Sequence, residues 1–528
     1  MACRISFQVR GVSWQTATDW KTRECMKFAG ETYGMMPPTS RISITKDYLK
    51  NYKRDYKAAN LSFVRLRKII ESEQLADHPL TAYFDEERLQ EISEFKALTV
   101  KQLACPSYIL ADKVVSVTDY IESVGIEIPE QLKKDDHGLI LRAMDTDWWR
   151  RQLRKVSSRY AEKIALHYGL VCKNKSIYCS DIAVQRYRAM KKRNRAMMEG
   201  TVIENEVGFA LSLQEISDRT VANPAIRRAE LMTRIRGFDD YAKHTGKAAV
   251  FITVTAPSRY HTKSDKWTGE TPKDTQCYLN GVWSRIRAQL ARENIEIFGF
   301  RVAEPHHDGT PHAHFLLFVK PKLQRRLVQI FNQYALQEDG DERGAKKVRC
   351  QVIFIDRKTG SAVSYISKYI SKNIDGFGVE NDLYGFDAAS SAERITAWAS
   401  LWGIRQFQQI GGIPVTVWRT LRRIETEFDD EDSEAARKYA DSGEWDMFTR
   451  YCQKAKFDLL KEQPQETNKY GEECPPKVVG VFSQVTGEIG LATTHVWELR
   501  EQPWTRVNNC TEPKNLLEKI DLSTEPIH

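Results

Sequence analysis

IEIFGFRVAEPHHDGTPHAHFLLFV, residues 295–319, reads as two strands folded back on one another. The stretches 295–304 and 312–319 are rich in β-branched and aromatic residues. The segment between them, 305–311, carries two prolines, an aspartate and a glycine, the residues of a turn. Side chains alternate along a strand, so His312 and His314 project from one face while Ala313 packs behind them. Closing the hairpin around 305–311 sets Glu304 opposite His312.

Working outward, AAVFITVTA (248–256) is a strand apolar on both faces and ended by Pro257. The segment 271–294 starts with Thr271 before Pro272 and continues at helical spacing. After the hairpin, KPKLQRRLVQIFNQYAL reads as a helix, KVRCQVIFI (347–355) as a strand and GSAVSYISKYISKNI as a final helix. The order β-α-β-β-α-β, then α, is the split β-α-β pattern. It predicts an α+β fold with a ferredoxin-like antiparallel sheet and helices on one side.

Two imidazoles side by side on a buried strand are costly unless each finds a partner, and together they make a metal chelate. With Glu304 they form a three-point set, His312, His314 and Glu304, that leaves positions for water and substrate oxygens. Such a set suits Mg²⁺ or Mn²⁺, the imidazoles favouring Mn²⁺ and abundance favouring Mg²⁺. His306, His307 and Asp308 in the loop are possible substitutes. In the final helix Tyr365 and Tyr369 are one turn apart, about 6 Å, on a face separate from the Val363/Ile366/Ile370 stripe that meets the sheet. Lys368 and Lys372 border them. A phenol with a pKa of about 10 attacks phosphorus only with help, from a metal or neighbouring ammonium groups that favour the phenolate. Two phenols at one site permit two successive transesterifications.

The chain has 528 residues, of which 41% are hydrophobic, enough for several domains and a core that needs no disulfides. Its ten cysteines contain no Cys-x-x-Cys pair and read as reduced, mostly buried thiols. The start of the chain lacks the layout of a signal peptide, and no apolar run is long enough to span a bilayer, so a cytoplasmic location is expected. Net charge is +8, but fourteen lysines and arginines against two acids fall between 150 and 195, with Tyr160, Tyr168, Tyr178 and Tyr187 among them. Cations interleaved with aromatics are how nucleic acid is held without sequence readout. The helical stretch QRYRAMKKRNRAMME offers Arg186, Arg188, Lys191, Lys192, Arg193 and Arg195, and Lys372 extends the set beside the tyrosines. The expected domains are a region of unknown role at 1–135, a basic helical DNA-binding region at 136–240 and a core at 241–380 that carries the histidine and tyrosine pairs. They are followed by a Trp/Arg-rich and helical region at 381–464 and a loosely ordered tail at 465–528. Trp398, Trp402 and Trp418 are expected to pack rather than bind DNA.

His312-Ala313-His314 resembles the His-hydrophobe-His signature of the HUH endonucleases, and FITVT (251–255) resembles their first motif. Tyr365-x-x-Lys368-Tyr369 resembles the two-tyrosine motif of phage rolling-circle initiators. EPHHDGTPHAHFLLF, SYISKYISKNID and WGIRQFQQIGGIPVTVWRTLRR resemble the replication gene A family of peduovirus-type temperate phages, over about 140–425. The resemblance implies a site- and strand-specific endonuclease that nicks the phage origin, stays joined to the 5′ end and starts rolling-circle replication in the cytoplasm of the host bacterium. It implies a host DNA polymerase and a host helicase as partners, in keeping with the lack of a Walker loop. It also implies His312 and His314 as metal ligands, Tyr365 and Tyr369 as alternating nucleophiles and Lys368 as the residue that orients the phosphate or sustains the phenolate. Ala313 departs from the bulkier apolar residue usual there. Two other readings stay open: a two-tyrosine transposase or relaxase, and a non-catalytic protein that grips single strands by stacking.

Overall fold

The computed structural model describes residues 8–9, 12–13, 23–36, 38–72, 86–104, 110–358, 360–378, 380–381, 385–492 and 495–500. Up to residue 244 these are mostly helices. Arg23–Met35, Pro38–Tyr52, Tyr56–Ser72, Glu86–Leu103 and Leu110–Ser123 pack with α1 (Thr146–His167) and α2 (Asp181–Gly200) around Trp148, Trp149, Leu153 and Ile164. Next come α3 (Pro224–His244), β1 (Ala248–Thr255), α4 (Pro272–Arg292), β2 (Phe298–Pro305), β3 (Pro311–Val319), α5 (Gln324–Ala335), β4 (Cys350–Phe354), α6 (Ala362–Ile374), α7 (Ala388–Trp402), β5 (Phe407–Ile410) and α8 (Val415–Leu421). No helix among the described residues is long and apolar enough to cross a membrane.

The central sheet runs β4-β1-β3-β2-β5 with every neighbouring pair antiparallel. The first four strands in sequence thus appear in the order 4-1-3-2, as the β-α-β-β-α-β reading requires, and β5 adds a fifth strand at the β2 edge. That strand is absent from the sequence reading because QFQQI is short and half polar, without the β-branched run that marks β1. Helix α4 begins where expected. Thr271 Oγ1 and the Asp274 carboxylate cap it reciprocally, and Pro272 occupies its first turn.

Helices cover both faces of the sheet rather than one. Val250, Ile252, Phe315 and Leu317 meet Leu279, Trp283 and Ile286 of α4 and Leu327 and Phe331 of α5. On the opposite face Phe251, Phe300, Leu316 and Phe318 meet Leu231, Ile235 and Phe238 of α3, Ile366 and Ile370 of α6 and Trp418 of α8. β1 is apolar in both directions because both directions are core. Gly299 permits close pairing of β2 with β3. Its φ is +151°, and a Cβ there would stand 1.9 Å from Leu316 O.

Residues 465–492 are not a loose tail. Lys477–Ser483 pairs with Phe457–Glu462 on one side and Ile489–Leu491 on the other, and Trp497–Leu499 pairs with Val202–Asn205. Polar composition hid these strands because their pairing supplies the order. The rest of that expectation, 493–494 and 501–528, lies outside the described residues. Trp398, Trp402 and Trp418 are buried, as expected of packing residues. Cys179, Cys350 and Cys452 are buried free thiols, Cys172 and Cys474 are half-buried and Cys277 is exposed.

Candidate metal and tyrosine site

Strand register builds the site. Glu304 on β2 pairs directly with His312 on β3, and Thr253 on β1 pairs with His314. All four project to the face that α6 covers, because they fall on the same alternation as Leu316 and Phe318. A five-residue turn joins β2 to β3. His306 N donates to Thr310 O at 2.8 Å, Gly309 N donates to His306 O at 2.9 Å, and Gly309 takes a φ of +84°. Helix α7 holds this turn, since Trp398 Nε1 donates to Gly309 O at 2.8 Å.

One donor atom from each of Glu304, His312 and His314 lies within 4.8 Å of the others, and all three residues are buried. Glu304 Oε2 and His314 Nε2 are 3.4 Å apart. Glu304 Oε2, His312 Nδ1 and His314 Nε2 have no hydrogen-bond partner. Buried polar atoms that converge without partners fit the donor set of a divalent cation, because a metal satisfies all of them at once. Thr253 Oγ1 shares a hydrogen bond of 2.9 Å with His314 Nδ1, which leaves Nε2 for a metal. Burial would raise the Glu304 pKa, but contact with His314 and Lys372 outweighs it and keeps the carboxylate ionised. Burial drives His312 well below its ordinary range, so it stays neutral, the ligating form. His306 lies against His312 with ring centroids 4.0 Å apart and planes tilted by 31°, and burial, with His261 beyond it, lowers its pKa to about 4. His261 Nδ1 stands 3.6 Å from Asp308 Oδ2 on the far side.

The tyrosines differ in position. The Tyr369 ring lies 4.1 Å from the His314 ring and stacks on Phe251 at 5.5 Å, whereas Tyr365 approaches Phe251 at 6.3 Å from one turn away. Lys368 is exposed, with Nζ 5.1 Å from the centre of the Tyr369 ring. Within the chain itself the Tyr369 phenol is pushed up to about 12, by burial first and by the Glu304 charge second, so its own surroundings do not favour the phenolate. Lys372 is not a surface cation for DNA. It is 5% exposed and its Nζ is ion-paired with Glu304 Oε1, beneath the site. Helix spacing does put it on the tyrosine side of α6, but at that turn this side is covered by β2, where the lysine meets Glu304.

The basic run divides as well. Arg186 is turned inward, and burial lowers it to about 10. Arg188 pairs with Glu393, Arg193 with Glu86 and Arg195 with Glu199. Lys191 and Lys192 are exposed, Lys191 lying 5.7 Å from the Tyr187 ring. Tyr160 and Tyr178 are buried, and Tyr168 and Tyr187 pack against the helical core, so none of the four is a free stacking platform. Residues missed from sequence are Thr253 and Lys372 as supports of the ligand set. The alternation of FITVT signalled the first, since it puts Phe251 and Thr253 on one face.

A family model described as bacteriophage replication gene A protein (GPA) matches residues 104–377. The chain is 43% identical over 405 residues to the replication gene A protein of Escherichia phage 186, an alignment covering 71% of this chain and 57% of that protein. It is 35% identical over 458 residues to the replication protein of Haemophilus phage HP1, covering 77% and 58%. It is 30% identical over 430 residues to a protein named probable replication endonuclease from a prophage-like region of Escherichia coli O6:H1, covering 72% and 53%. The chain thus spans rather more than half the length of these relatives. No solved structure matches it.

Proposed function

The chain belongs to the bacteriophage replication gene A protein family, and on that premise we propose that it is a DNA endonuclease that nicks a phage replication origin through a tyrosine. The observation that carries this reading is Tyr369 packed against His314 at the edge of a converging Glu304/His312/His314 set. The strand order 4-1-3-2 supports a ferredoxin-like HUH core. Relatives named replication endonuclease support the reaction class.

Glu304, His312 and His314 would hold Mg²⁺ or Mn²⁺, which when bound polarises the scissile phosphate as a Lewis acid. The Tyr369 oxygen attacks phosphorus and its proton leaves to solvent. The bond from phosphorus to the 3′ oxygen breaks, a 5′-phosphotyrosyl bond forms, and the leaving 3′ oxygen takes up a proton from solvent to depart as the hydroxyl that primes synthesis. Exposed Lys368 faces the incoming phosphate. Tyr365, one turn earlier in α6, serves the second transfer, which reseals the strand after a round of rolling-circle synthesis. Origin DNA is the substrate, and a host helicase and DNA polymerase are the partners, in the host cytoplasm. β1 and β3 are buried on both faces, which argues against the stacking-sheet alternative.

The test is a suicide oligonucleotide carrying the origin, trapped on the protein with Mg²⁺ or Mn²⁺ and analysed by mass spectrometry. A phosphotyrosyl adduct at Tyr369 is expected. The double change Tyr365→Phe and Tyr369→Phe should bind origin DNA and form none. Adducts that persist on that variant overturn the assignment.

A further inference from the structure

One strand beyond β2, four guanidinium groups surround an open cavity of about 580 Å³ between α3, β5 and the start of α8. Arg227 and Arg234 come from α3, Arg405 precedes β5 and Arg419 belongs to α8; Glu230 is the single carboxylate in the lining. Glu230 is already committed. Arg419 forks onto it with Nε at 3.1 Å and Nη2 at 2.6 Å, and Arg234 Nη2 stands at 3.4 Å. Arg234 is 7% exposed and also donates to Gln409 Oε1 at 3.1 Å. Arg227 lies over the Phe407 ring at 5.2 Å, and Arg405 Nε donates to Phe407 O at 3.1 Å. Neither has a carboxylate partner among the described residues.

Four cations around one anion repel one another. Burial lowers Arg234 to about 10, and the charges of Arg419 and Arg405 push it the same way. A fold keeps such an arrangement where an anion offsets the repulsion, and a guanidinium fork matches phosphate oxygens. The cavity is also well placed. Phe407 pairs with Val302, two residues before Glu304 on the same face of β2, and Ala303 N donates to Gln406 O at 2.7 Å. The cavity therefore opens one strand away from the ligand set.

We propose that this arginine cavity holds backbone phosphate of a single DNA strand beside the nicking site. The inference rests on the reading that the chain acts on DNA. The cavity is built by tertiary structure from segments far apart in the chain.

The experiment is a salt series of fluorescent oligonucleotide binding on the full chain, unchanged and with Arg227→Gln plus Arg405→Gln. Arg234 and Arg419 are left in place because they hold Glu230. At about 0.7 per phosphate contact on single strands, the slope of log K against log salt should fall in magnitude by about 1.4, with the unfolding midpoint unchanged. If the double variant fails to fold, each single variant should lose about 0.7. An unchanged slope in a folded variant overturns the proposal. So does a variant that loses affinity for a polyglutamate peptide while its oligonucleotide binding is intact. Adduct formation, measured separately, tells the two readings apart: adducts with an unchanged slope refute the cavity alone, and a reduced slope without adducts refutes the tyrosine chemistry alone.

Discussion

The ring of Tyr369 lies 4.1 Å, centroid to centroid, from the imidazole of His314, with the two planes tilted by 34°. A helix residue and a strand residue thus meet at the edge of the only three-donor group found among the described residues. Tyr365 has no comparable contact with the ligand set; its ring neighbour is Phe251. The two phenols share a helix face but not a relation to the histidines.

That asymmetry predicts unequal roles. Tyr369→Phe should lower first-strand adduct formation by about a thousandfold or more, the scale of losing a nucleophile. Tyr365→Phe should leave the first cleavage within about tenfold and block transfer to a second strand. Single-turnover gels with a two-strand substrate read both steps, and equal first-step losses would contradict the assignment.

Lys372 and Glu304 form a buried ion pair. Lys372→Met leaves the carboxylate buried without its cation, which should cost about 3–5 kcal/mol in urea unfolding with a chelator present. Adding Glu304→Gln to that variant should recover much of the loss, because no buried charge remains. A double variant as unstable as the single one would show that Lys372 acts through packing alone.

Thr253 holds His314 by its Nδ1. Thr253→Val keeps the volume and removes the hydroxyl, so Mn²⁺ affinity measured by calorimetry should fall by about 10- to 100-fold, the range for a lost outer hydrogen bond. An unaltered affinity would mean that ring packing by Phe251 and Tyr369 suffices.

Acid should weaken the carboxyl-terminal region through Glu434. Arg437 forks onto it with Nε at 2.8 Å and Nη2 at 2.6 Å, and Phe428 N donates to it at 3.1 Å. These bonds outweigh partial burial and hold the carboxyl down to about 2. The folded value lies below the unfolded one, about 4.3, so the stabilisation is complete above that value and disappears as pH falls toward 2. The stability gap between the unchanged chain and Glu434→Gln should therefore close across that window. A gap that does not vary with pH would rule out the ion pair as its source.

Gly299→Ala and Gly281→Ala should have opposite signs. At 299 the new Cβ meets Leu316 O at 1.9 Å, so β2 must shift and a loss of more than about 2 kcal/mol is expected. At 281, inside α4, nothing lies within 4 Å, and alanine should add about 0.5–1 kcal/mol. Thermal unfolding of both variants decides.

Much of the site was legible in the sequence wherever a local period governs it. A strand repeats every two residues, so His312 and His314 had to share a face, and the turn at 305–311 had to bring Glu304 opposite His312. A helix repeats every 3.6, so Tyr365 and Tyr369 had to share a face too. These relations follow from backbone geometry and need no knowledge of what packs nearby. Which way each face turned was decided by the fold. Lys372, adjacent to the tyrosines in the linear pattern, is buried on Glu304, and the tyrosines of the basic run lie in or against the helical core. The fifth strand, the second helical layer and the gathering of Arg227, Arg234, Arg405 and Arg419 join segments whose sequences carry no mark of one another. Such contacts exist because burying both faces of a sheet removes more apolar surface from water than burying one, and that gain is realised only when distant parts of the chain come together.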